Sequence, residues 1–143
     1  MAHGIQLTFD AADPPNLAAF WALVLGYVEQ PPPPGFDNWE DFAAANGIPP
    51  EQMGDYGAVI DPDGVGPRLL FMKVPEPKTA KNRMHLDIHV PDRPAHVARL
   101  VEAGGKELDS RTELGVAWTV MEDPEGNVFC VADEPPEAPA DGA

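Results

Sequence analysis

Cysteine, basic residues and long apolar runs are all scarce in this chain, and each scarcity closes off a class of protein. One cysteine, Cys130, stands among 143 residues, so no disulfide forms within the chain and no zinc site is built from several thiolates. Nine Lys and Arg face 24 Asp and Glu, a formal net charge of −15. That balance repels phosphate backbones and argues against a nucleic-acid partner. It suits a cationic ligand, although a solvated acidic surface is the simpler account of it. No apolar run approaches the roughly 18 residues needed to span a bilayer, and Met1 to Ile5 carries neither the basic end nor the apolar stretch of a signal peptide. The expectation is a cytoplasmic protein without membrane association. The glycine patterns of dinucleotide-binding, phosphate-loop and serine-hydrolase sites are also missing.

What is present is a repeat. With 43% hydrophobic residues the chain is long enough for a core in one domain or in two fused halves. From Arg83 the side chains sort by parity: Met84, Leu86, Ile88 and Val90 are apolar, while His85, Asp87 and His89 are polar and metal-competent. Successive strand residues point to opposite faces, so one face packs and the other lines something wet. Ile5, Leu7 and Phe9 alternate with Gln6, Thr8 and Asp10 in the same way. Each strand leads into a helix. Asp13-Pro14-Pro15-Asn16 opens one with Leu17, Phe20, Trp21, Val24 and Leu25 at helical spacing and Gly26 as its stop; Asp92 and Pro94 open the other, with Val97, Leu100 and Val101 inward and Gly104-Gly105 at its end.

Two hairpin turns follow, Asp61-Pro62-Asp63-Gly64 between strands Tyr56 to Ile60 and Arg68 to Val74, and Asp123-Pro124-Glu125-Gly126 between Val116 to Glu122 and Asn127 to Val131. The turns lie 62 residues apart and the first strands 79 apart, so the first half carries 17 extra residues. They fall where Pro31 to Pro34 breaks the chain, Trp39 to Gly47 reads as a short helix, and Pro49-Pro50 starts a turn. Pro75 to Asn82 joins the halves, and residues 134–143 read as a disordered acidic tail.

Two βαβββ halves, Phe20-Trp21 ahead of Leu25-Gly26-Tyr27, the segment Lys81 to Asp87, and Asp123-Pro124-Glu125-Gly126-Asn127 before an apolar strand resemble the vicinal oxygen chelate superfamily. The likeness is to its glyoxalase-like and bleomycin-resistance-like members. It implies an α+β fold in which two βαβββ modules form a curved mixed-sheet cup. One domain would cover residues 4–133, as modules of about 4–74 and 83–133, the first with an insert near 31–53. The resemblance also implies a small-molecule ligand, a homodimer, and in metal-dependent relatives one divalent ion held by residues of the first, fourth, fifth and eighth strands. Those positions fall on Gln6 and His85, on Leu70 or Met72, and on Cys130. The last two depart from the usual pattern. A hard ion wants several oxygens, and zinc accepts His85 and a deprotonated Cys130 but normally keeps three good ligands.

The metal set is therefore Gln6, His85 and Cys130, or no metal at all. Asp87 is available as a substitute, while His85, Asp87 and His89 span roughly 13–14 Å of strand and do not all reach one ion. His85 is the candidate acid/base group, with a merely hydrogen-bonded polar residue as the plain alternative. The candidate pocket comprises Gln6, Thr8, His85, Asp87, His89, Trp39, Trp118 and Cys130. Ordinary packing competes as an explanation for both tryptophans and for the thiol. Lys81 and Arg83 read as an anion site or as an exposed link. Three functions follow: a small-molecule-binding, drug-sequestering protein; a metal-dependent lyase, isomerase or dioxygenase acting on vicinal oxygens; and a non-catalytic dimerisation or regulatory domain.

Overall fold

The computed structural model describes residues 2–134, so nearly all of the expected disordered tail lies outside the described residues. The chain divides into two compact units, Met1–Thr79 and Ala80–Ala143. The first runs β1 (Gln6–Ala11), α1 (Pro14–Leu25), β2 (Val28–Glu29), α2 (Trp39–Ala45), a 3-10 turn (Pro50–Asp55), β3 (Tyr56–Ile60) and β4 (Arg68–Lys73). The second runs β5 (Asp87–Val90), α3 (Arg93–Glu102), β6 (Lys106–Glu113), β7 (Val116–Glu122) and β8 (Val128–Asp133). Each holds one four-stranded mixed sheet, ordered β1-β4-β3-β2 and β5-β8-β7-β6. In each, the first strand pairs parallel with the last and the remaining pairs are antiparallel. The fold is α+β, built from two βαβββ modules as expected, and α2 with the 3-10 turn is the insert of the first.

The two crossover helices begin alike. Asp13 caps α1 at φ −132° and ψ 83°, its carboxylate accepting from the Asn16 amide. Asp92 caps α3 at φ −132° and ψ 84°, accepting from the Ala95 amide. Both have proline in the first turn, where the missing N–H has no partner to lose. Gly26, at φ 71°, ends α1 in the left-handed conformation that glycine adopts without penalty.

In the first unit Leu17, Phe20, Trp21 and Val24 of α1 are buried, as are Leu69 and Phe71 of β4 and Val59 of β3. Phe9 stacks at 5.0 Å on Trp21 and 5.1 Å on Phe71. In the second unit Val97 and Leu100 of α3, Met121, Phe129 and Val131 make the equivalent layer. The helix covers one face of the sheet and leaves the other to the alternate residues.

Both hairpins are tied by an aspartate. Asp61 accepts from the Asp63, Val65 and Gly66 amides, and these backbone bonds hold its carboxyl below the usual range. Asp123, buried, accepts from the Glu125 and Asn127 amides and from the Asn127 side chain.

Two expectations are corrected. The strand read from Arg83 begins at Asp87; ahead of it Met84 is 73% exposed, so no packing holds that stretch in the sheet, although the Leu86 carbonyl still accepts from the Cys130 amide. Val101 is 45% exposed, because α3 turns it away from the layer that takes Leu100. His96 is buried in its place, 79 residues after Leu17, with its Nδ1 on Arg99 Nη2 at 3.2 Å.

Helix α1 lies so close to β3 that a Cβ on Gly57 would stand 2.8 Å from the Pro14 carbonyl oxygen and 3.0 Å from the Ala18 Cβ. The near atom is backbone, so relief requires the helix itself to move. Gly57→Ala is expected to lower the free energy of unfolding by about 1–3 kcal/mol, read as a lower urea midpoint at unchanged slope.

Candidate functional site

The register of the second sheet decides which side chains share its helix-free face, because paired residues on neighbouring strands point the same way. Asp87 of β5 pairs with Cys130 of β8, Cys130 with Val120 of β7, and Val120 with Asp109 of β6. The next row is His89, Ala132, Trp118 and Arg111. Thr119 and Ser110 face the other way, where the Arg93 guanidinium at the start of α3 donates to Thr119 Oγ1 at 2.8 Å and binds Asp133 at 3.1 Å.

Three different donor atoms meet on the free face. The His85 ring, the Asp87 carboxylate and the Cys130 thiol place one ligand atom each within 4.8 Å of one another. His85 Nε2 lies 3.3 Å from Asp87 Oδ1, both side chains being about half exposed. Cys130 is buried and its thiol is pushed up to about 11, chiefly by burial, then by the Asp87 charge and by donating its proton to Asp87, with Arg111 acting weakly in the opposite sense.

The donor set suits one kind of ion. Imidazole, carboxylate and thiolate together match a borderline ion such as Zn²⁺, whose ligand bonds of about 2.0–2.3 Å put donors roughly 3.5 Å apart. The half-exposed His85 and Asp87 have the freedom to close that gap. Mg²⁺ and Ca²⁺ want oxygen alone and do not fit. The residues present therefore fit a divalent ion, held by His85, Asp87 and Cys130 after loss of the thiol proton.

The other candidate residues distribute as follows. His89 shares the face, with its Nδ1 3.0 Å from the Asp133 carbonyl. Trp118, half-buried, lies in the same row as His89 and Arg111. Gln6, Thr8 and Trp39 belong to the first unit. There Gln6 Oε1 accepts from Arg68 at 2.8 Å and its Nε2 donates to Thr8 at 3.3 Å. The Trp39 indole N–H donates to the Gln30 carbonyl at 3.0 Å, and its ring lies 5.4 Å from Phe42. Arg68 and Arg111 are polar residues of these faces that sequence alone did not single out; their place opposite Gln6 and Trp118 is a matter of register.

The internal symmetry is informative. Thr8 pairs with Leu70 in the first sheet as Asp87 pairs with Cys130 in the second. Gln6, Thr8 and Leu70 thus hold the stations of His85, Asp87 and Cys130, and among the described residues it is the second set that brings histidine, carboxylate and thiol together.

Two parallel-closed βαβββ units, one with a row of metal-competent side chains on its helix-free face, define a paired-module scaffold. The family model described as "Glyoxalase-like domain" matches residues 6–132, and the chain belongs to that family. No curated protein matches it. Solved structures match its fold. A glyoxalase/bleomycin resistance protein/dioxygenase family enzyme from Burkholderia phytofirmans is 17% identical, with 90% of this chain and 95% of that one covered and a TM-score of 0.61. The fosfomycin resistance protein FosX from Mesorhizobium loti is 12% identical, with 94% and 95% covered and a TM-score of 0.63. A hypothetical protein from S. aureus is 12% identical, with the same coverage and a TM-score of 0.64.

The raised thiol gives a direct check. With an acidity near 11, about one Cys130 in a thousand is ionised at pH 8. In chelator-treated protein, reaction with DTNB is expected to be slow at pH 8 and to rise about tenfold per pH unit up to pH 10. Asp87→Asn removes the charge and the hydrogen-bond acceptor but not the burial, so the thiol should settle between its ordinary 9.0 and 11 and react several-fold faster at each pH.

Proposed function

We propose that this chain binds a small molecule on the helix-free face of its second unit, where His85, Asp87 and Cys130 hold one borderline divalent ion. The observation that carries the reading is the convergence of three unlike donors within 4.8 Å. Val120, Ala132 and Trp118 share that face, and apolar surface with a few placed polar groups is the usual make-up of a ligand site. An ion bound there supplies a Lewis acid for an oxygen of the ligand. Without the ion, His85, half-exposed and beside Asp87, is instead the group available to move a proton.

The printed descriptions of the similar structures, a fosfomycin resistance protein and a glyoxalase/bleomycin resistance/dioxygenase family enzyme, support an oxygen-bearing small molecule as the ligand class. Turnover by a lyase, isomerase or dioxygenase route is the use of the site that the triad favours. Metal-free sequestration is the second reading, favoured by Cys130, whose protonated thiol is already satisfied by Asp87. The reading takes the protein to act in the cytoplasm as a homodimer.

Zinc titration of chelator-treated protein, followed by calorimetry and by metal analysis after dialysis, tests the proposal. One equivalent is expected, lost in His85→Ala and bound at least ~10-fold more weakly in Cys130→Ser, a loss of about 1.4 kcal/mol or more. Equal zinc content in wild type and His85→Ala would sink the metal site and leave sequestration standing.

A further inference from the structure

We infer that the free sheet face of the first unit holds a second, metal-independent site, an oxyanion-binding site centred on Arg68. This inference goes beyond the preceding reading and rests on the first unit alone. Arg68 opens β4 and is half-buried. Its Nε donates to Gln30 Oε1 at 2.6 Å and its Nη1 to Gln6 Oε1 at 2.8 Å. Gln6 is its register partner on β1. Gln30 follows β2 and is fixed twice, its amide donating to the Ala58 carbonyl and its own carbonyl accepting the Trp39 indole. The guanidinium is therefore clamped from both sides by neutral groups attached to different strands.

Two features of that clamp point to an anion. The first is charge. Arg93 and Arg111 each find a carboxylate, at 3.1 Å and 2.9 Å, yet no carboxylate of the described residues is within ion-pair distance of Arg68. An arginine clamped by two amide oxygens, with no ion pair among the described residues of its own unit, is a positive charge kept available. The second is donor polarity. A guanidinium has no acceptor, so both glutamines must turn their oxygens toward it. Their NH₂ groups are thereby directed away from it, the one on Gln6 lying 3.3 Å from Thr8 Oγ1. Among the described residues Arg68 Nη2 and Gln30 Nε2 have no hydrogen-bond partner. The cluster offers a fixed cation flanked by donors, the arrangement that recognises a carboxylate or a phosphoryl group. Preorganisation by the amides removes much of the rotamer entropy that a free arginine would lose on binding.

The corresponding stations of the second unit carry no such cation. Val128 opens β8 as Arg68 opens β4, so the two free faces have diverged toward different chemistries, donor atoms for a cation in one and hydrogen donors for an anion in the other.

Titration of the ¹⁵N-labelled full chain with inorganic phosphate and, separately, acetate, at ionic strength held constant with sodium chloride, tests the site. The Arg68 Nε–Hε resonance, assigned by its loss in Arg68→Lys, should shift saturably at millimolar anion while those of Arg93 and Arg111 stay in place. Response to phosphate alone identifies a phosphoryl ligand, and response to acetate a carboxylate. Gln30→Leu, which keeps the cation and removes the clamp, should weaken half-saturation at least tenfold. If that variant does not fold, Arg68→Lys, followed through the side-chain amide resonances of Gln6 and Gln30, should show the same weakening. An absent response to both anions, an equal response to sodium chloride, or undiminished affinity in these variants would overturn the inference.

Discussion

The parallel pairing of the first strand of each unit with its last is the constraint on which the rest depends. A parallel pair cannot be closed by a tight turn, so a crossover helix must return the chain across one face, and the aspartate-capped helices α1 and α3 do so. Once the helix occupies one face, parity assigns the candidate side chains of the strands to the other. The same pairing sets the register that puts Asp87 opposite Cys130 and Gln6 opposite Arg68. A slip of one residue would send Phe129 or Leu69 to the free face and bury the polar row, at the cost of an entire core layer. The site geometry is thus a by-product of core packing, and is fixed as firmly as the core is.

Duplication on these terms creates two equivalent free faces, and the chain has used them differently. The stations held by His85, Asp87 and Cys130 in one unit are held by Gln6, Thr8 and Leu70 in the other. Even the contacts between neighbours along the strand are matched at 3.3 Å, from His85 to Asp87 and from Gln6 to Thr8. Replacing imidazole by amide and thiol by an apolar chain removes the metal donors while leaving strand spacing untouched. Because these side chains stand on the faces turned away from α1 and α3, such exchanges leave the helix-packed layers alone, even though Cys130 is itself buried.

Much of this was legible in the sequence, for identifiable reasons. The helices could be read because Asp13 and Asp92 precede proline and an apolar stripe; the hairpins, because Asp61 and Asp123 open Asp-Pro-Xaa-Gly turns. The insert followed from the difference between two spacings. What escaped notice lacked a period. Strand β6, Lys106–Glu113, is polar but for Leu108 and exposed at every residue, since an edge strand needs no apolar face and is protected by charge instead. Strand β5 looked longer than it is because alternation continues through Met84, where nothing packs. His85, Asp87 and Cys130 were all named, with Gln6 grouped beside them through the repeat; the pairing of Asp87 with Cys130 came only from the register. Arg68 was invisible as a site residue because an arginine in a strand carries no signal until its partners are known.

Arg68 also bears on how the net charge of −15 is interpreted. Over long distances that charge favours a cationic guest, by biasing the approach of small ions. At physiological ionic strength, however, fields decay over about 8 Å, so the sign a site prefers is set by the few groups within that range and by which of them are already paired. At Arg68 the nearest groups are two amide oxygens and a set of directed N–H donors, and none of them cancels the guanidinium. At the His85 triad the nearest groups are a carboxylate and two metal donors. On the proposed readings, one acidic chain offers an anion site and a cation site, because what distinguishes them is the pairing of individual charges and not their sum.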